Sequence, residues 1–121
     1  MPDNPIIVLI PTYNEAGNIQ KLVKEILALK IDQLSILVID DNSPDGTGNI
    51  VSGLANKYPE RVNVLIRETK TGIGSAYSSG MKYALKSNSS FVIQMDADFS
   101  HNPAYIPEML SEIQKDRKSV V

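Results

Sequence analysis

Cysteine is absent from the 121-residue chain, which excludes disulfides and cysteine-ligated zinc and leaves the redox compartment unread. Long apolar runs are missing as well: the longest, Ile6 to Pro11, is far too short to span a bilayer. An excess of basic residues is also lacking. The formal net charge is -2, and nothing concentrates Lys and Arg into the basic face that marks a nucleic-acid binder. The first residues, Met1-Pro2-Asp3-Asn4-Pro5, have neither the basic segment nor the apolar core of a signal peptide, so a cytoplasmic location is expected. No internal repeat, low-complexity tract or linker interrupts the chain, and a single domain over residues 1–121 is expected.

What is present is ordinary for a folded domain, 42% hydrophobic and 21% charged, and long enough to bury a core. Apolar segments alternate between strand and helix periods. Ile6 to Ile10 is a continuous β-branched run, as expected for a strand buried on both faces. Asn18 to Lys30 carries Ile19, Leu22, Val23, Ile26 and Leu27 on one helical stripe. Ser35 to Ile39 reads as a second strand. Asp45 to Tyr58 reads as a weaker helix with Ile50, Val51, Leu54 and Ala55 inward, and Val62 to Ile66 as a third strand. Ile73 to Lys86 is the clearest helix, with Ile73, Ala76, Tyr77, Gly80, Met81, Ala84 and Leu85 expected on its inner face. Phe91 to Met95 is a fourth strand. Asn102-Pro103 is a cap followed by a first-turn proline, opening a helix whose inner face is Ile106, Met109, Leu110 and Ile113. The order βαβαβαβα predicts an α/β fold: a parallel sheet with helices on both faces.

In such sheets ligands lie at the carboxyl ends of the strands, and there the polar clusters fall. Asp96 and Asp98 follow the fourth strand, separated by one small residue. In an extended chain both carboxylates would point the same way and face a single cation. Oxygen ligands suit Mg²⁺ or Mn²⁺, with substrate phosphates completing the shell, and such an ion favours departure of a diphosphate. The plainer reading is a solvated turn at a strand end. Asp40 and Asp41 close the second strand. Being adjacent, they point to opposite sides, so they do not share one ion. One of them is placed to accept from a base or ribose, while Asp41 could equally cap the turn with Asn42 and Ser43.

Pro11-Thr12-Tyr13-Asn14-Glu15 puts an aromatic ring and a carboxylate after the first strand, where Tyr13 could pack on a base or ribose and Glu15 accept hydrogen bonds. Asn14 and Glu15 could instead simply start the next helix, and Asp45-Gly46-Thr47 reads fully as a turn and helix start. Arg67, Lys70, Gly72 and Gly74 form a basic, glycine-bearing loop suited to a diphosphate. The run Gly72-Ile73-Gly74-Ser75-Ala76-Tyr77 is not a dinucleotide fingerprint: it lacks the third glycine and follows the third strand. His101 is the one histidine, either a third ligand, an acid/base group or a structural partner of the nearby cap.

Taken in order, these motifs resemble the family 2 glycosyltransferases of GT-A (Rossmann-like) fold. The similarity covers nearly the whole chain, and it is nearest to the dolichol-phosphate (polyprenol-phosphate) mannosyltransferase subgroup. The continuation Asp98-Phe99-Ser100-His101-Asn102-Pro103 is what points to that subgroup. The resemblance implies that Pro11, Tyr13, Glu15 and Asp40 surround a nucleoside, with Asp41 and Arg67 near the site. It implies that Asp96 and Asp98 hold Mg²⁺ or Mn²⁺ against the diphosphate of a nucleotide-sugar donor. Asn42 departs from the glycine frequent there and should be tolerated in a turn; Gln94 departs from an apolar strand position. Family members continue past the position of Val121 with acceptor-binding elements, so the chain is expected to be the N-terminal, donor-binding part of a larger protein, cut just as Ser119-Val120-Val121 begins a β-branched run. No general base is assigned.

The expected reaction is inverting transfer of a hexose, mannose from a guanosine diphosphate donor, to a polyprenyl phosphate at the cytoplasmic face of a membrane. Two alternatives stand beside it. One is transfer from a uridine diphosphate sugar to a lipid or glycan hydroxyl. The other is a non-catalytic nucleotide-binding module. A phospho-receiver domain fits poorly, because its acids follow the first and third strands, and here they follow the second and fourth.

Overall fold

Four β-branched segments form strands, and the computed structural model describes residues 5–68 and 73–116 of the chain. The strands are β1 (Ile6–Thr12), β2 (Leu34–Asp40), β3 (Val62–Ile66) and β4 (Phe91–Gln94), alternating with helices α1 (Ile19–Ala28), α2 (Thr47–Lys57), α3 (Ile73–Lys86) and α4 (Ile106–Asp116). They form one sheet in the order β3-β2-β1-β4, and every pairing is parallel. Central β1 and β2 are buried almost throughout, which is why their sequences are unbroken apolar runs rather than alternating ones. The edge strands β3 and β4 are only partly covered.

Side chains alternate across the sheet and feed two cores. On one face Val8, Ile10, Ile36, Val38 and Ile93 pack with Ile19, Leu22, Val23 and Ile26 of α1, Val51 and Leu54 of α2, and Ile106 and Leu110 of α4. On the other face Ile7, Leu9, Leu37 and Ile39 pack with Ala76 and Ala84 of α3. Helices therefore cover both faces, as the alternation of elements predicts. No helix among the described residues is long and apolar enough to cross a membrane.

The inner face of α3 is narrower than the periodicity suggests. Ala76, Gly80 and Ala84 are buried, whereas Met81 is 37% and Leu85 73% exposed. The cause is the close approach of helix to sheet. A Cβ on Gly80 would stand 2.9 Å from a Leu9 methyl and 3.1 Å from one of Ile39. Three small residues at four-residue spacing make the seam, and the bulkier neighbours are turned to its flanks. Asn102 caps the last helical segment as expected, accepting from the Ala104 N–H at 2.9 Å. A short 3₁₀ turn, Pro103–Tyr105, precedes α4. Lys70, Gly72 and the run Ser119-Val120-Val121 lie outside the described residues, as do the side chains of Ile73 and Ile113.

Candidate functional site

The chain steps from β1 to β2 to β3 in one direction, then returns to set β4 on the other side of β1. The strand order reverses between β1 and β4. In open parallel sheets the crevice at such a reversal, outside the carboxyl ends of the strands, is where ligands bind. The loops flanking it are those carrying Tyr13 and Glu15 after β1, and Asp96 and Asp98 after β4. The loops after β2 and β3 extend the same edge.

The loops after β1 and β2 are tied into one surface. Three consecutive backbone N–H groups, of Asn14, Glu15 and Ala16, donate to Ser43 Oγ at 2.9 Å, Thr47 Oγ1 at 3.0 Å and Asp45 Oδ2 at 2.9 Å. Asp45 also accepts from the Thr47 N–H at 3.1 Å and from its hydroxyl. Those bonds, the Thr47 hydroxyl first, hold its carboxyl below the ordinary carboxylate value. Asp45-Gly46-Thr47 is thus the helix start expected of it, with Gly46 at φ 91°, and it clamps the neighbouring loop too. Glu15 is half-buried, with Oε1 accepting from Asn18 Nδ2 at 3.4 Å. Tyr13, in the loop directly after β1, keeps 39% of its surface exposed.

Asp40 and Asp41 diverge, as adjacent residues on a strand must. Asp40 is 1% exposed and accepts from Thr12 Oγ1 at 2.7 Å, Ser43 Oγ at 2.6 Å and the Ser43 N–H at 2.9 Å. The turn is therefore capped by Asp40, not by Asp41 as the sequence allowed. Asp41 has a different partner: Arg67 Nε and Nη2 donate to its two oxygens at 2.6 and 2.9 Å, and this pairing holds the guanidinium above its usual pKa. Arg67 Nη1 continues to Ser75 Oγ at 2.8 Å and Ser79 Oγ at 3.4 Å on α3. The guanidinium bolts the ends of β2 and β3 to α3.

The acidic turn after β4 departs from the extended geometry its spacing suggests. The strand ends at Gln94, Ala97 and Asp98 form a turn, and Phe99 has φ 64°. The carboxylates converge by another route, since both reach Ser100. Its N–H donates to Asp98 Oδ1 at 2.9 Å and its hydroxyl to Asp96 Oδ2 at 3.5 Å. The bonds from Ser100 hold the exposed Asp98 carboxyl below its ordinary value. Asp96 is half-buried, and its Oδ1 receives the Tyr77 hydroxyl at 3.5 Å. Burial first, then the Asp96 charge and this hydrogen bond, push the Tyr77 phenol up to about 12. His101 is exposed, and its Nδ1 accepts the Asp96 N–H at 3.3 Å.

Two carboxylates at one turn are the donor chemistry that Mg²⁺ and Mn²⁺ select. Among the described residues no group of three His, Cys, Asp or Glu could hold a metal ion. Asp96 and Asp98 would supply two ligands here, leaving positions for further oxygen donors such as water and phosphate. That is the usual arrangement for Mg²⁺ on a phosphorylated substrate, so the residues fit such an ion.

Thr12 and Tyr77 contribute to this site without having been singled out for it. Thr12 was named only within the run Pro11-Thr12-Tyr13-Asn14-Glu15, and Tyr77 as part of an apolar stripe. The one available signal was that Tyr77 is the sole polar-tipped residue on that stripe.

Comparison with known proteins matches these features over almost the whole chain. The chain is 40% identical over 112 residues to the polyprenol monophosphomannose synthase of Mycolicibacterium smegmatis, covering 93% of this chain and 42% of that protein. It is 38% identical over 109 residues to the undecaprenyl-phosphate mannosyltransferase of Micrococcus luteus, covering 90% and 44%. The chain thus spans less than half the length of these relatives. Among solved structures, the mannosyltransferase PcManGT from Pyrobaculum calidifontis, in complex with GDP-Man and Mn²⁺, superposes with a TM-score of 0.67 at 27% identity, covering 78% of this chain and 28% of that one. The architecture is the GT-A arrangement. The glycosyl transferase family 2 profile matches residues 7–121, from the first strand through the acidic turn and beyond, and the chain belongs to that family.

Proposed function

We propose that this chain is the donor-binding part of a metal-dependent, inverting glycosyltransferase that moves mannose from a guanosine diphosphate donor to a polyprenyl phosphate. The observation that carries this reading is the meeting of Asp96 and Asp98 at Ser100, at the sheet edge where the strand order reverses. The named activities of the two relatives and the GDP-Man and Mn²⁺ bound by the structural neighbour support the choice of sugar, acceptor and ion.

On this reading Pro11, Tyr13 and Glu15 border the nucleoside, and buried Asp40 fixes the shape of the loop beside them. Asp41 and Arg67 act one layer back, holding β2, β3 and α3 together. Asp96 and Asp98 would hold Mg²⁺ or Mn²⁺, which supplies positive charge against the departing diphosphate. A phosphate oxygen of the acceptor attacks the anomeric carbon, the bond to the nucleoside diphosphate breaks, and the configuration inverts. The attacking group is already an anion, so the mechanism calls for no strong base among these residues. Acceptor recognition we assign to the part of the relatives that this chain does not cover.

Calorimetry with GDP-mannose and UDP-glucose, with and without Mn²⁺, tests the donor half of the proposal. GDP-mannose should bind more tightly with Mn²⁺, and Asp96→Asn should remove that gain. Binding that is indifferent to Mn²⁺ and unchanged in Asp96→Asn overturns the metal site, and a preference for UDP-glucose overturns the donor.

A further inference from the structure

We propose that Tyr77 is a positioning residue for Asp96: α3, packed rigidly on the sheet, sets the orientation of the carboxylate that faces the divalent ion. The inference rests on the metal site proposed above and adds a residue to it.

The position of the phenol is set by packing. Ala76, Gly80 and Ala84 bring α3 against Leu9 and Ile39 so closely that Gly80 has no room for a Cβ without displacing a Leu9 methyl. The half-buried Tyr77 ring lies against that same core. The helix is also held at its N-terminal end, where Arg67, locked to Asp41, reaches Ser75 and Ser79. That packing sets where the hydroxyl stands, 3.5 Å from Asp96 Oδ1.

The chemistry of the contacts on Asp96 supports orientation rather than neutralisation. One oxygen faces the Tyr77 hydroxyl and the other the Ser100 hydroxyl. Both donors are neutral. An Arg or Lys in either place would compete with a cation for the carboxylate charge, whereas two hydroxyls steer the group and leave its full charge for the ion. Residues that orient metal ligands in this way commonly change metal affinity by about 10- to 100-fold when removed. A contact as long as 3.5 Å lies at the outer limit of hydrogen bonding, which places the effect near the low end of that range.

The test is a Mn²⁺ titration, followed by the electron paramagnetic resonance of free Mn²⁺, on the whole chain with saturating GDP. Wild type, Tyr77→Phe and Asp96→Asn are compared, together with GDP affinity in chelator and the thermal midpoint without metal. Tyr77→Phe keeps the ring, so its midpoint and metal-free GDP affinity should match wild type while its Mn²⁺ affinity falls about tenfold. Wild-type Mn²⁺ affinity in Tyr77→Phe, with Asp96→Asn impaired, overturns the positioning role and leaves the metal site standing. Wild-type Mn²⁺ affinity in Asp96→Asn overturns both. A parallel loss of metal-free GDP affinity in Tyr77→Phe overturns the positioning role in favour of a general distortion.

Discussion

The Arg67 guanidinium and the Asp41 carboxylate meet edge to edge at the ends of β3 and β2, with side chains 13% and 7% exposed. A pair so largely removed from water is worth little more than its desolvation cost, but breaking it leaves one charge unmatched. Arg67→Ala or Asp41→Ala alone should therefore cost about 3 kcal/mol. The double variant should cost clearly less than the sum, since the second substitution removes the orphaned charge. Urea denaturation of the four proteins of the cycle measures this, and strict additivity would contradict the pairing. Asn42 shows what sequence can and cannot say at this scale. Its tolerance in a turn was readable from residue type, and its φ of 54° gives the reason, because Asn visits the left-handed region more readily than other side chains. Asn42→Val should lose about 1–2 kcal/mol, and Asn42→Gly should stay near wild type, again by urea midpoint. The partners of Asp40 and Asp41 were not readable: adjacency told that the two diverge, but not which one meets a serine turn and which an arginine 26 residues on.

Elements were read better than their faces. All four strands and four helices stand where hydrophobic period put them, because central strands and amphipathic helices mark themselves by composition. The buried side of α3 was drawn too wide at Met81 and Leu85, since periodicity counts apolar residues without regard to size, and close packing at the seam selected Ala76, Gly80 and Ala84. The acidic turn shows the converse: two-residue spacing suggested an extended chain, yet a turn with Phe99 in the left-handed region joins the carboxylates through Ser100. Two glycines in helices separate propensity from packing. A Cβ added to Gly53 in α2 would meet nothing within 4 Å, whereas one added to Gly80 would stand 2.9 Å from Leu9. Gly53→Ala should stabilise by about 0.5–1 kcal/mol through helix propensity alone. Gly80→Ala should destabilise by about 1 kcal/mol, because methyls of Leu9 and Ile39, both fully buried, must shift within a packed core. Thermal midpoints moving in opposite directions would confirm that α3 is held by contact at Gly80 and that α2 is free of it at Gly53.

For the molecule as a whole, donor binding and stability should be linked. The proposed ligand touches loops from β1 and β4, which lie on either side of the strand-order reversal, and the β1 loop is itself tied to the β2 loop through Ser43, Asp45 and Thr47. A ligand bound only by the folded chain adds RT ln(1 + [L]/Kd), about 2.7 kcal/mol at a hundred times Kd. For a domain of this size that corresponds to a rise of about 10 °C in the thermal midpoint. GDP with Mn²⁺ should produce the rise, chelator should remove most of it, and Asp96→Asn should behave like the chelated protein. These three measurements separate a ligand that binds through the acidic turn from one that rests on the β1 and β2 loops alone. In the second case the same rise would survive chelation, and the ion would have no place in holding the diphosphate.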